Sequence, residues 1–186
     1  MPVQVNQADI VKWFLYDRLL TAAGANTLAE YRFFTVPIGG AKTKAMTNLE
    51  QVSQLTAPDW MVIDTLGFYF SSDMTKVDVD TFLNTYYMEL WLGGGKIYAE
   101  GPLFMYPSGA GLTGVATINN VAAYAVGVPN PLAVRDLRVN GVGIQLLQGE
   151  TIMVKVIGTP FALAAGPSIG LNLTCLLDGT KSRAVR

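Results

Sequence analysis

The hydrophobic positions at the start of the chain are spaced for a helix over residues 6–23. Asn6 can cap this helix, and Gly24 follows its end. At about 100° per residue, the apolar positions point in almost every direction except a strip near Asp17 and Arg18. We therefore predict a helix here and expect it to be covered by another part of the protein or by a neighbouring molecule. Its apolar residues are Ile10, Val11, Trp13, Phe14, Leu15, Tyr16, Leu19 and Leu20.

Beyond Gly24 the apolar positions alternate with a period of two, between turns rich in Gly, Pro and Asn. This alternation recurs about eight times and predicts strands bounded by turns. Helices that would connect parallel strands are missing from the pattern, so we predict an all-β protein with an antiparallel sandwich of about eight strands. The predicted strands span residues 30–37, 60–70, 84–92, 96–104, 134–139, 142–147, 151–157 and 169–177.

The alternation is interrupted by a long stretch at residues 106–131 that is rich in Gly, Ala and Asn. Long insertions in compact β domains are usually functional or lie at interfaces. We predict an irregular insertion here, with a short helix near residues 118–124. The chain then divides into an N-terminal helical arm over 1–24 and a sandwich over 25–186. We expect a chain lacking residues 1–24 to fold but to assemble poorly.

Charge is scarce and unevenly distributed along the chain. Charged residues make up 15% of the sequence against 51% hydrophobic residues, and only five of the 27 charges fall within residues 101–177. An exposed surface with so few charges favours association, so we predict subunit contacts. The formal net charge of −1 offers no field that would attract a polyanion, and the tail contributes only Lys181, Arg183 and Arg186. We expect no specific nucleic-acid partner.

The residue inventory excludes several kinds of chemistry. The sequence contains no His and a single Cys, which rules out a Ser-His-Asp triad, a His-containing metal site and an intramolecular disulfide. Cys175 lies in an alternating apolar stretch and is expected to be buried and inert. Glu89 and Glu100 are the best carboxylate pair, but a hairpin with Leu92 opposite Lys96 puts them on opposite faces of the sheet. We predict no catalytic residue, cofactor or metal.

Two groups of residues are candidates for contacts with other molecules. The first is an assembly contact on the predicted N-terminal helix, whose members are Trp13, Phe14, Leu15, Tyr16 and Leu20. The second is a pair of aromatic residues, Tyr87 and Trp91, which alternate away from the apolar face around Leu90. If exposed, they would form a stacking platform for a carbohydrate or receptor. Burial by a neighbour or by a second sheet is the other interpretation.

Targeting signals are not evident in the sequence. The first residues lack a basic region followed by an apolar one, so we predict no signal peptide. No run of about 18 apolar residues occurs, so no spanning helix is predicted and a membrane partner is not expected.

Three stretches resemble parts of viral jelly-roll proteins. Residues Leu146-Leu-Gln-Gly-Glu-Thr-Ile-Met-Val-Lys-Val156 resemble the entry to a late strand. Residues 47–64, running on to Phe68-Tyr-Phe, resemble the entry to the first main strand in bacteriophage jelly-roll virion proteins, and residues 176–186 resemble their ending. The resemblance covers about residues 45–186. It implies a single jelly roll in a non-enzymatic capsid or capsid-decorating protein of the virion, forming a homotrimer or a larger shell with other virion proteins. A carbohydrate- or receptor-binding β-sandwich is the alternative function.

Overall fold

Two antiparallel sheets packed face to face form the core of the protein in a computed structural model, which describes residues 9–70, 75–107, 112–118, 121–126, 134–165 and 170–183. The strands and the helix, in chain order, are β1 (Asp9–Thr21), β2 (Glu30–Phe33), β3 (Trp60–Phe70), α1 (Lys76–Thr85), β4 (Tyr86–Leu92), β5 (Lys96–Pro102), β6 (Leu112–Ile118), β7 (Val121–Val126), β8 (Arg135–Asp136), β9 (Ile144–Leu146), β10 (Ile152–Gly158) and β11 (Leu171–Arg183).

Apart from β6 and β7, each strand belongs to one of two sheets, and the chain passes back and forth between them. Sheet I has the order β1-β11-β3-β8, and β9 also pairs with β3. Sheet II has the order β2-β10-β4-β5, while β6 and β7 form a separate hairpin. All of these pairings are antiparallel. The all-β sandwich that the alternation predicts is therefore present.

The predicted N-terminal helix is wrong for the part of residues 6–23 that the structure describes, which begins at Asp9; the predicted cap Asn6 lies outside the described residues. Residues 9–21 form β1, which pairs with β11 from Asp9↔Arg183 to Thr21↔Leu171. Six of the 13 residues of this stretch are aromatic or β-branched, and such residues favour strands. A strand with apolar residues on both faces looks apolar all round when it is projected onto a helix. The described part of segment 1–24 is thus an edge strand of sheet I and not a separate arm, so its deletion would remove part of the core.

Two further local predictions are wrong. Within the insertion, residues 112–118 and 121–126 form the antiparallel pair β6–β7, where a short helix near residues 118–124 was expected; residues 119 and 120 of that prediction lie outside the described residues. Conversely, α1 occupies residues 76–85, so the strand predicted from Asn84 begins only at Tyr86. Thr75 caps α1, its side chain accepting a hydrogen bond from the Asp78 backbone N–H at 3.2 Å. That Thr-x-x-Asp spacing, followed by Val79 and Phe82, is a helix-start signal in the sequence.

The core is filled by the inward faces of both sheets and closed at one end by α1. The ring of Phe82 on α1 stacks on Tyr86 with the two centroids 4.1 Å apart. Phe70 and Phe161 meet the Phe82 ring edge-on. Cys175 faces this interior with no exposed surface, and burial raises the pKa of its thiol well above the ordinary value. The thiol is buried as the sequence predicts.

Candidate functional site

The outer face of β1 carries a strip of exposed apolar side chains. Ile10 is 62% exposed, Phe14 is 54% exposed and Leu20 is 60% exposed. Tyr16 lies between the last two and is half-buried, with its ring centroid 5.9 Å from that of Phe14. These are the even-numbered positions of a strand, so they share one face. We call Ile10, Phe14, Tyr16 and Leu20 the β1 strip.

The structure divides the five predicted assembly residues between two faces of β1. Phe14, Tyr16 and Leu20 belong to the β1 strip. Leu15 is only 2% exposed because it points into the chain's own core, so it cannot contact a neighbour. Trp13 is half-buried, also on the inward face. A helix would distribute these residues around its surface, whereas the strand directs even-numbered residues outward and odd-numbered residues inward.

Two basic side chains, Lys12 and Arg18, lie among the residues of the β1 strip. The Lys12 ammonium lies 2.8 Å from a carboxylate oxygen of Asp178 and 3.8 Å from one of Asp64, and these carboxylates neutralise its charge. Arg18 donates from Nε to the Thr174 hydroxyl at 3.2 Å, a hydrogen bond to a neutral group that keeps its positive charge. Exposed pairs such as Lys12–Asp178 contribute little stability.

A loop covers the middle of the free edge of β1. The Arg18 N–H donates to the Met46 carbonyl at 2.8 Å, and the Tyr16 N–H donates to the Asn48 side-chain oxygen at 2.9 Å. Asn48 returns a hydrogen bond from Nδ2 to the Phe14 carbonyl at 2.7 Å. The loop over residues 42–49 therefore occupies the edge from Phe14 to Arg18, and we call it the edge loop.

A buried ion pair anchors the edge loop. The Lys42 ammonium lies 2.5 Å from a carboxylate oxygen of Asp17, and both side chains are buried. The other carboxylate oxygen accepts a hydrogen bond from the Phe34 N–H at 2.7 Å. Burial raises the pKa of Asp17, and the hydrogen bond from Lys42 opposes this shift. Asp17 thus ties together β1, the residue after β2 and the edge loop.

The two predicted platform aromatics lie on the outer face of sheet II but differ in accessibility. Tyr87 is 42% exposed and borders a shallow pocket of about 460 Å³. Trp91 is half-buried, and the Lys155 ammonium lies 4.5 Å from its ring centroid, covering one ring face. Its indole N–H donates to Glu89 at 2.7 Å. The structure therefore leaves Tyr87 as the accessible ring of the pair.

The predicted separation of Glu89 and Glu100 is wrong. The structure pairs them directly across β4 and β5, on the outer face of sheet II. A bulge lies between Leu90↔Ala99 and Trp91↔Ile97, leaving Tyr98 as the extra residue. One extra residue reverses the facing of every position beyond it, which brings the two carboxylates to the same side.

A cleft of about 580 Å³ opens beside the inward face of β1. Lys181 lies at its wall, 2.6 Å from a carboxylate oxygen of Asp59 and 4.9 Å from the Trp13 ring centroid. The sequence assigned Lys181 to a basic tail, whereas β11 continues through it. Arg186 lies outside the described residues.

The described residues hold no group of three or more His, Cys, Asp or Glu side chains arranged to bind a metal ion. No helix among them has the length and apolar character needed to cross a membrane. Protein-family models, curated proteins and solved structures yield no match to this chain.

Proposed function

We propose that this chain is a non-enzymatic structural subunit of a viral shell that acts by assembling with copies of itself. The observation that carries the proposal is the β1 strip, whose large apolar side chains are exposed along one strand. Large apolar side chains that are exposed on one face favour an interaction surface, because leaving them in water is unfavourable, and they do so here with Lys12 and Arg18 between them. Complete burial of such a side chain contributes roughly 1.5–3 kcal/mol relative to full exposure.

We infer further that the sandwich is a jelly roll, and the order of strand pairing supports this. In this interpretation β8 and β9 count as one interrupted strand, and the β6–β7 hairpin is an insertion. The pairs are then β1 with β11, β2 with β10, β3 with β8–β9, and β4 with β5. In these pairs the first strand joins the last, the second joins the one before the last, and so on inward to β4 and β5. This order arises when a long hairpin of strands, folded at the β4–β5 turn, wraps around to form two sheets. Jelly rolls occur in viral capsids, lectins and cupins, so this winding favours a shell subunit without requiring one.

The mass of the purified chain in solution tests self-assembly. We expect a trimer or larger particle by light scattering, and a double substitution Phe14→Ser/Leu20→Ser should weaken association by about tenfold or more. Val139→Ser/Val142→Ser is the matched control, because Val139 is 73% exposed in a different part of the chain. A monomer at every concentration would contradict the proposal.

The viral setting has its own test. Purified particles of the virus that encodes the chain should contain it in many copies, as quantified by mass spectrometry against a known shell protein. Absence from those particles would refute the virion role while leaving self-assembly as a separate result.

The alternative function, a carbohydrate- or receptor-binding module, is favoured by one observation. The pocket beside Tyr87 combines an exposed ring with Asn84 and Glu100, a set that can stack on a sugar and hydrogen-bond its hydroxyls. A glycan array followed by calorimetry tests this function. Binding that Tyr87→Ala abolishes, in a chain that remains monomeric, would favour the module over the shell subunit.

A further inference from the structure

We propose that two copies of this chain join edge to edge, β1 pairing antiparallel with β1 of the second copy about a two-fold axis at Val11. This inference rests on the proposed self-assembly and names one of its contacts. It would merge the two copies of sheet I into one continuous sheet. A two-fold contact uses the same surface on both partners, so it can act beside other contacts in a shell.

The direction of the backbone groups on β1 shows which part of its edge is open. The hydrogen bonds from Tyr16 and Arg18 to the edge loop show that even-numbered residues point their backbone groups away from β11. By the same parity, Ile10 and Lys12 each direct one N–H and one C=O outward. Within the described part of the chain, no residue hydrogen-bonds to those four groups.

The edge loop limits the registers that a second strand can adopt. Pairing centred on Lys12 would require the Phe14 carbonyl, which already accepts from Asn48. Pairing centred on Val11 instead places Ile10 opposite Lys12 of the second copy. The N–H and C=O of each then meet their counterparts, giving four inter-copy hydrogen bonds from the eight outward groups of the two edges. In this register, the pairing between described residues of the two copies extends from Asp9 to Trp13 and stops before the edge loop begins.

The side chains are compatible with this register. Lys12 would lie beside Ile10 of the second copy, so the two lysines are not directly opposed. Asp178 and Asp64 already neutralise Lys12 on the outer face of its own sheet. This matters because an outward lysine on an edge strand ordinarily discourages pairing. Exposed Ile10 gains cover from the aliphatic stem of the partner lysine.

A second copy fits the open groups of this edge because those groups are complementary to themselves. Among the described residues on this side of the edge loop, only Ile10 and Lys12 present both backbone groups outward, and a two-fold rotation brings each onto the other.

Disulfide trapping in the full chain tests the register. Val11→Cys on each copy would occupy a non-hydrogen-bonded pair with Cα atoms about 4.5 Å apart, within the range that a disulfide spans. We expect a covalent dimer under mild oxidation, on a non-reducing gel. The unsubstituted chain, in which Cys175 is buried, gives the background level of cross-linking. Val139→Cys is the matched control, since Val139 is exposed but lies outside both proposed contacts, and it should cross-link at least about tenfold less efficiently.

A proline substitution supplies a second measurement. Ile10→Pro removes an outward N–H that the β11 pairing does not use, so the fold should persist, as checked by circular dichroism. In the Val11→Cys background it should lower the yield of cross-linked dimer by about tenfold or more.

The outcomes separate this inference from the proposed function. Efficient trapping at position 11 that Ile10→Pro abolishes supports the edge pairing. Failure to trap in a chain that light scattering shows to be oligomeric overturns the edge pairing and leaves self-assembly standing. A chain that is monomeric at all concentrations overturns both.

Discussion

The outer faces of the two sheets differ sharply, although both belong to one sandwich. Across sheet II a single row holds Arg32, Lys155, Glu89 and Glu100, one residue from each of four paired strands. Along β1 of sheet I the outer face carries the exposed apolar residues Ile10, Phe14 and Leu20, with Lys12 and Arg18 between them. The charged row of sheet II is readily hydrated, whereas the apolar side chains of the β1 strip stay exposed to solvent in a single molecule. The comparison therefore favours sheet I as the place of the proposed association surface.

The largest expected effect concerns the ion pair that holds the sheet I edge. Asp17→Ala leaves the Lys42 ammonium and the Phe34 N–H buried without their acceptor, and we expect the free energy of unfolding to fall by about 3–5 kcal/mol. Urea unfolding measures this loss. Asp17→Asn keeps one acceptor oxygen and should cost less. Equal losses in the two variants would show that the acceptor is unimportant.

The two faces of β1 should respond differently to truncation. Leu15→Ala opens a cavity in the core and should lower the free energy of unfolding by about 2–5 kcal/mol. Phe14→Ala, one residue earlier on the exposed face, should change the stability of the dissociated chain by about 0.5 kcal/mol or less. Denaturant unfolding at low protein concentration makes the comparison. Similar losses would contradict the assigned facing of β1.

A smaller effect should appear in the pH dependence of stability. The pKa of Asp17 is raised by burial, so the folded chain takes up a proton there more readily than the unfolded chain. The stability of the wild type relative to Asp17→Asn should therefore rise as pH falls through the raised pKa, and level off below the unfolded value of about 3.9. Unfolding curves of both proteins between neutral and acidic pH test the sign. A relative loss for the wild type on acidification would contradict it.

The smallest effect belongs to the charged row of sheet II. Glu89 and Glu100 are like charges directly opposite each other, which is unfavourable across a strand pair. Glu100→Gln should raise the free energy of unfolding by about 0.2–1 kcal/mol. Lys96→Gln, exposed on the same strand, serves as the control and should not stabilise the chain. A loss of stability in Glu100→Gln would show that the row depends on both carboxylates.

The alternation of apolar and polar residues predicted most strands of the sandwich, because it indicates which side of each strand faces the core. The bounds of β3 agree with the predicted strand at residues 60–70, and β10 lies within one residue of its prediction. The N-terminal strand was misassigned because its outward face is apolar too, and that removes the contrast on which alternation depends. The exposed apolar face that defeated the helix prediction is the same one that marks the candidate contact.

The candidate surfaces were less predictable, since they depend on long-range register. The bulge in the β4–β5 hairpin, with Tyr98 as the extra residue, moves Glu100 to the face of Glu89, and nothing local signals its position. The covering of Trp91 by Lys155 joins residues far apart in sequence. The same holds for Asn48 at the Phe14 carbonyl, which sets how much of the β1 edge stays open.

The edge loop also bears on the solubility of this protein. A long bare strand of apolar residues would act as a template on which further chains could add without limit, as in amyloid growth. With the edge loop in place, pairing at the remaining stretch would use up the β1 edge of both molecules, so a third molecule could not add at that edge. Loss of the Asp17–Lys42 anchor would lengthen the bare template, so variants at these positions should be screened for fibrils as well as for unfolding.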